Sequence, residues 1–405
     1  MKFNLDYDLK TNTALLSKPF NVLGVPISNR MVAQPMERTA GTIDGKLSPF
    51  LVKSYKNLAK GQWGILHLEA MSVMKKYRSR KGQLVINEEN RASFKKFIED
   101  LKKISPDTKF FFQITFPGMV AGEGQKKTTI IPRVHEEDPN TKLLEDEEIK
   151  EIQDAFKKAV EICIDIGADG VDIKGCHGYL VVEFLRPSNT RPGKFGGSFS
   201  NRTRFFKDIF IHTKKYADDA NHPDFLIGSR VSVYESIIGG FGTGGPDDFI
   251  EDLSEPKQYA SLMHDWGAKF INVTAGIPAM MPEVTRPSKD VPWGIWNHFR
   301  LTKEIKMHLD AVNKPMMVIG SAYSMLQEDL PYYAGKNIES KSVDVIGLGR
   351  QTLADPLYPK KLFENQNSSI NYCVGCNNCA RLLVAQKIVG CAYHDDEAKQ
   401  RLKEK

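Results

Sequence analysis

Four cysteines near the C-terminus carry the sharpest chemical signal in the chain: Cys373-Val-Gly-Cys376-Asn-Asn-Cys379, then Cys391 after eleven residues. Two-residue gaps let consecutive thiolates converge on one centre, and a remote fourth closes the cage. Structural zinc usually pairs two separated C-x-x-C knuckles. Three close cysteines with one distant partner fit the larger volume of a cube-shaped iron–sulfur cluster. The spacing therefore favours a [4Fe–4S] cluster held by Cys373, Cys376, Cys379 and Cys391, with zinc as the alternative. The remaining two cysteines read as packing. Cys163 falls on an apolar stripe with Ile149, Ile152, Phe156 and Ala159, spaced three and four apart on a helix that starts acidic.

A second constellation is Asp172-Ile-Lys174-Gly-Cys176-His177-Gly178-Tyr179-Leu180. An ammonium, an imidazole and a phenol within six residues can move a proton and stabilise a developing oxyanion. Alone, the same residues would suit a wet loop, and Lys174 could simply pair with Asp172 on the same strand face.

What must position them is a strand, and the chain has eight candidates: Arg30–Met36, Gly64–Met71, Phe110–Thr115, Gly170–Cys176, Phe225–Val233, Phe270–Ala275, Pro315–Gly320 and Val343–Gly349. Their continuous apolar character fits parallel strands buried on both faces. Helical patterns lie between them, among others at Asn90 to Lys103, Ser200 to Tyr216 and Glu255 to Trp266. Eight β-α units without a shorter repeat predict a (β/α)8 TIM barrel over residues 1–365, with a cysteine-rich tail over 366–405. In such barrels chemistry sits at the C-terminal strand ends. Those ends hold Pro35, Met36, Glu69, Ala70, Gln113, Lys174 to Tyr179, Arg230, Ala322, Tyr323, Gly349 and Arg350.

After the fourth strand comes Glu183-Phe-Leu-Arg-Pro-Ser-Asn-Thr-Arg191-Pro-Gly-Lys-Phe195-Gly-Gly-Ser, then Asn201-Arg202-Thr-Arg204-Phe205. With the Lys174–Leu180 segment, this closely resembles the Old Yellow Enzyme family of FMN-dependent oxidoreductases. The four cysteines make it similar to the iron–sulfur branch, typified by 2,4-dienoyl-CoA reductase and trimethylamine dehydrogenase.

The resemblance implies that Pro35, Met36 and Ala70 lie against FMN, that Gln113 contacts its pyrimidine ring, and that Arg230 faces its N1–C2=O edge. Ala322, Tyr323, Gly349 and Arg350 would hold the phosphate. It also implies that Tyr179 donates a proton while His177 and Lys174 hold a substrate carbonyl. Four features depart from the pattern: Lys174, Glu37, Phe116 to Met119, and Ala322 where glycine is usual. Glu37 would lie near the N5–C4=O edge, and its charge would oppose flavin reduction. It is therefore expected to be protonated or paired with Arg38 or Lys174.

Composition narrows the classes. Hydrophobic residues make up 41% and charged residues 26%, which allows a real core and excludes a disordered chain. The net charge of +6 is scattered among acids, so no nucleic-acid patch is expected. No apolar run nears the roughly 18 residues of a membrane span, and no secretory signal opens the chain, so a cytoplasmic setting is expected.

Gly240-Phe-Gly-Thr-Gly-Gly245 matches a dinucleotide fingerprint but precedes Pro246-Asp247-Asp248, so it reads as a loop after strand five and part of a substrate lid. Trp293 and Trp296 read as loop residues that either line a pocket or pack. No nucleotide-binding half follows the cysteines, so the expected electron source is a separate protein or NAD(P)H. The leading reading is an ene-reductase acting on a small molecule with an activated double bond. An amine dehydrogenase and an electron-transferring subunit are the alternatives, and a homo-oligomer is compatible with all three.

Overall fold

The structure, a computed structural model, describes residues 9–288 and 292–404. Eight parallel strands close a barrel: β1 Met31–Ala33, β2 Ile65–Ser72, β3 Lys109–Thr115, β4 Gly170–Gly175, β5 Leu226–Ser232, β6 Phe270–Thr274, β7 Met317–Gly320 and β8 Val345–Leu348. Each pairs with its neighbour in sequence, and β8 returns to β1 through Ile346 opposite Met31. All eight expected strands are present; most are trimmed at their ends, while β2 runs one residue further, to Ser72, and β3 starts one residue earlier, at Lys109.

Strand alternation stacks two layers inside the barrel. The lower one is apolar: Val32, Ile65, Phe111, Leu226, Phe270, Met317, Ile319 and Val345 form a single cluster. Gly170 and Gly228 complete it because a Cβ there would strike the rings of Phe111 and Phe270 at 2.8 and 2.6 Å. A hairpin, Phe20–Val22 paired with Val25–Ile27, plugs this end with Val22, Val25 and Ile27. Two residues further along six strands, the inward side chain turns polar: Gln34, His67, Gln113, Asp172, Arg230 and Asn272.

The helices form for local reasons and bury one face each. Asn87 caps Glu88–Ile104 by accepting from Asn90 N–H, and Ser198 caps Phe199–Asp219. Asp146–Asp165 opens on three acids, which suit the positive end of the helix dipole, and buries Ile149, Ile152, Phe156, Ala159 and Cys163. One feature differs from the sequence reading. Trp293 and Trp296 open the helix Trp293–Ala311 instead of a loop, half exposed, with Trp296 edge-on to Phe299 and Tyr333. The Gly240–Gly245 segment is a loop, pinned by Phe241 N–H donating to Glu235 Oε2 at 3.0 Å.

The cysteine tail lies against the barrel mouth. Its helices Asn378–Val384 and Asp396–Lys403 share a small core of Leu382, Val389, Ala392 and Ala398. Hydrogen bonds strap it down: Val389 N–H to Arg38 O at 2.9 Å, Arg80 Nε to Leu383 O at 3.1 Å, and Gln386 Nε2 to Glu123 O at 2.9 Å. No described helix is long and apolar enough to cross a membrane.

Ala322 follows β7 in the left-handed region, with φ 77° and ψ 4°. A Cβ there costs about 1–2 kcal/mol, partly offset by the entropy a glycine would lose on folding. Ala322→Gly is expected to stabilise the fold by about 0.5–1 kcal/mol. A thermal or denaturant midpoint that fails to rise would show that the strain is absorbed elsewhere.

Candidate active site

Three members of the polar layer, Gln34, Gln113 and Arg230, line the floor of a cavity of about 1120 Å³ at the C-terminal ends of the strands. Burying six polar side chains is costly unless they satisfy one another. Gln34 and Asn272 do so by exchanging two amide hydrogen bonds at 2.8 and 2.7 Å. Asp172 accepts from Gln113 Nε2 at 3.0 Å and from Arg230 N–H at 2.6 Å, and burial pushes its carboxyl up to about 6. His67 stands 3.6 Å from the same carboxylate, but burial lowers it to about 3 and keeps it neutral. Arg230 Nε finds no partner among the described residues, so the floor holds a buried guanidinium with an open donor.

Above the floor, the backbone after β4 turns through two consecutive left-handed residues, His177 at φ 62° and Gly178 at φ 76°. The turn sets His177 Nε2 3.2 Å from Thr274 Oγ1. Burial, then the charges of Arg230 and Lys174, hold the His177 imidazole well below its ordinary range, so it is neutral at physiological pH. Lys174 Nζ lies 3.4 Å from the Tyr179 ring centroid, a cation over an aromatic face. The Lys174–Asp172 pair is not formed among the described residues, because Asp172 is taken by Gln113 and the Arg230 backbone.

Glu37 is paired, though not with either expected residue. Its partners are Arg80 Nη1 at 2.8 Å, Ser79 Oγ at 3.0 Å and Tyr179 OH at 3.2 Å, all donating to the carboxylate. Arg38 instead is buried beside Tyr55 and Glu69, and its backbone N–H donates to Glu69 Oε2 at 2.9 Å.

Of the residues singled out from the sequence, Pro35, Met36, Gln113, Lys174, His177, Tyr179, Arg230, Ala322, Gly349 and Arg350 line this cavity. Two have side chains elsewhere. Ala70 is buried with its carbonyl accepting from Gln83 Nε2, and the Tyr323 hydroxyl accepts from Asn337 Nδ2 in the core. The cavity also gathers Gln34, Arg80, Arg286 and His298, which the sequence reading missed. Gln34 was findable, since inward alternation from Val32 reaches it directly. Arg80, Arg286 and His298 come from loops or a helix and carry no local signal.

The motif around Arg191 and Arg202 is scaffold. Arg191 donates to Leu144 O and Asp146, while Arg202 grips Glu255 and Leu185 O, fixing the segment that follows Tyr179.

The four tail cysteines line a second, small cavity with Arg350. Arg350 and Cys379 line both cavities, so the two sites share a wall. Burial raises the Cys379 thiol to about 11 and also raises Cys373 and Cys391, while Arg350 pulls the first two down. Among the described residues, no three His, Cys, Asp or Glu side chains are placed to hold a metal ion.

The NADH:flavin oxidoreductase / NADH oxidase family model matches residues 15–369. The chain belongs to this family. It is 31% identical over 366 residues to the NADH oxidase of Thermoanaerobacter brockii, covering 87% of this chain and 51% of that protein. It is 27% identical over 359 residues to the NADPH dehydrogenase of Bacillus subtilis, covering 88% of this chain and 96% of that one. The chain thus spans about half the length of the first relative and nearly all of the second.

Among solved structures, a 2-naphthoyl-CoA reductase complex superposes with a TM-score of 0.78 at 21% identity. The match covers 96% of this chain and 58% of that one, and at this identity it speaks for the fold alone. As a member of the NADH:flavin oxidoreductase / NADH oxidase family, the chain is an FMN-dependent oxidoreductase. Its cavity fits that cofactor. The open Arg230 donor and the amide of Gln113 suit a ring edge rich in carbonyl and N–H groups, and the Arg350 guanidinium suits a phosphate.

Glu69 sits on β2 beside this site, fully buried, and burial raises its carboxyl to about 8. Below about pH 4.5 the carboxyl is protonated whether the chain is folded or not. Between there and pH 8 only the unfolded chain ionises, so wild-type stability falls as pH rises. Glu69→Gln removes this dependence. Its stability relative to wild type should climb across that window by up to about 5 kcal/mol and then level off. Urea denaturation at several pH values checks this, and a pH-independent difference would contradict it.

Proposed function

We propose that this flavin oxidoreductase reduces a carbon–carbon double bond activated by a carbonyl group. The observation that carries the reading is the convergence of Tyr179, His177 and Lys174 on the cavity whose floor presents Arg230. When bound, FMN supplies the hydride that reaches the substrate β-carbon. Pro35, Met36, Gln113 and Arg230 would cradle its ring, with Ala322, Gly349 and Arg350 at its phosphate. The open donor of Arg230 would favour the anionic reduced form of the ring.

On the substrate side, neutral His177 would donate to the carbonyl oxygen. The Lys174 charge would stabilise the negative charge that gathers there. Tyr179 would deliver the proton to the α-carbon. Oxidation of a cationic amine is disfavoured, because amine cations are held on open aromatic faces. Here the face of Tyr179 is already covered by Lys174. A purely electron-transferring subunit would need neither the proton donor nor so large a cavity.

The tail supports a [4Fe–4S] cluster on Cys373, Cys376, Cys379 and Cys391: the donor set is all thiol and surrounds one space. The wall it shares with the flavin cavity at Arg350 and Cys379 would keep the two redox groups close. Electrons would then come from a separate donor protein through the cluster, or from NAD(P)H at the flavin directly. Residues 366–405 in this reading form the cluster-binding unit and residues 1–365 the flavin barrel.

Two experiments test the reading. Anaerobic protein with reduced flavin should be reoxidised by enones or enoyl thioesters, and Tyr179→Phe should slow that step by about 10²–10⁴-fold. Bleaching of the oxidised flavin by amines, with enones inert, would reverse the assignment. Protein made without oxygen should carry about four iron and four sulfide per chain, lost in Cys373→Ala. One zinc and no iron would refute the cluster.

A further inference from the structure

Glu37 has no part in the reduction as proposed, yet the fold holds it with care. A carboxylate this enclosed is tolerated only when donors satisfy it. Three do: Arg80, Ser79 and Tyr179. Arg80 is itself fixed by Leu383 O on the cysteine tail at 3.1 Å, so the carboxylate cannot easily shift. Lys174 from β4 and Glu69 from β2 are the other charged or titratable groups close by. A phenol has one hydrogen, and in this arrangement the hydrogen of Tyr179 points at Glu37. Glu37 also lines the cavity, where solvent can reach it.

We propose that Glu37 is the positioning residue of the proton donor: it holds the Tyr179 hydroxyl at the cavity and restores its proton after each turnover. The inference rests on the ene-reductase reading and deepens it. As hydride reaches the β-carbon, the Tyr179 O–H turns from Glu37 to the α-carbon, and the π pair forms the new bond between the α-carbon and that proton. The O–H bond breaks, leaving its electron pair on a phenolate. A solvent hydronium then protonates the Glu37 carboxylate, and Glu37 passes that proton to the phenolate across the 3.2 Å contact. Each double bond thus consumes one hydride from the flavin and one proton from water, and Tyr179 and Glu37 return to their starting states.

The test is stopped-flow reoxidation of the reduced holoenzyme by an enone that the wild type accepts. Glu37→Gln should slow reoxidation by about 10²-fold although its flavin is still fully reduced by dithionite. Glu37→Asp should recover most of the loss, remaining about tenfold below wild type. Because the pair acts as a unit, Glu37→Gln combined with Tyr179→Phe should be no slower than Tyr179→Phe alone.

Wild-type reoxidation in Glu37→Gln, or losses that multiply in the double variant, would overturn the proposal while leaving the ene-reductase reading intact. A wild type inert to every enone would overturn both. If Glu37→Gln failed to hold flavin, Glu37→Asp would decide the matter alone: a rate unchanged from wild type refutes the role.

Discussion

The costliest feature of this molecule is a layer of polar side chains buried inside a closed barrel. Desolvating Asp172 is unfavourable enough to move its carboxyl up to about 6, even with two hydrogen bonds and Arg230 nearby. The barrel tolerates this because the layer is nearly self-satisfying: Gln34 with Asn272, Gln113 and the Arg230 backbone with Asp172. What remains unsatisfied among the described residues is the His67 ring and Arg230 Nε, and of these two residues it is Arg230 that lines the cavity. The apolar layer beneath, sealed by the hairpin, keeps water from the other end. A rigid polar floor over a dry base is what a flavin site needs.

The electrostatics above that floor follow from the same excess of cations. Arg80, Lys174, Arg230, Arg286 and Arg350 face the cavity, with Glu37 among them. Such a field suits a phosphate, a reduced flavin and an enolate-like oxygen, all negative. It also explains why His177 stays neutral: burial, then the nearby cations Arg230, Lys174 and Arg286, oppose its protonation. A neutral imidazole donates a hydrogen bond without adding to the charge, leaving Lys174 as the cation beside Tyr179.

The cysteine tail is more than an appendage to the barrel. Cys379, Ala380, Leu383, Val384 and Val389 form part of the cavity wall, and Arg80 joins the tail helix to Glu37. Anything that orders the four thiols therefore also sets the wall of the large cavity.

Much of this was legible in the residues alone. Buried parallel strands must be apolar along their length, so eight β-branched runs announced the barrel. The cysteine spacing pointed to a cluster and the Lys174–Tyr179 run to acid–base chemistry; what the fold shows of them is that the four thiols line one space and that Lys174, His177 and Tyr179 share one cavity. The partners of those groups were another matter. Glu37 meets Arg80 rather than Arg38, Lys174 covers Tyr179 rather than pairing with Asp172, and His298 reaches the cavity from a helix. Such contacts join residues distant in the chain, brought together by strand closure and loop packing. Local pattern records how a residue suits its own element; only the closed barrel decides which charges share a cavity.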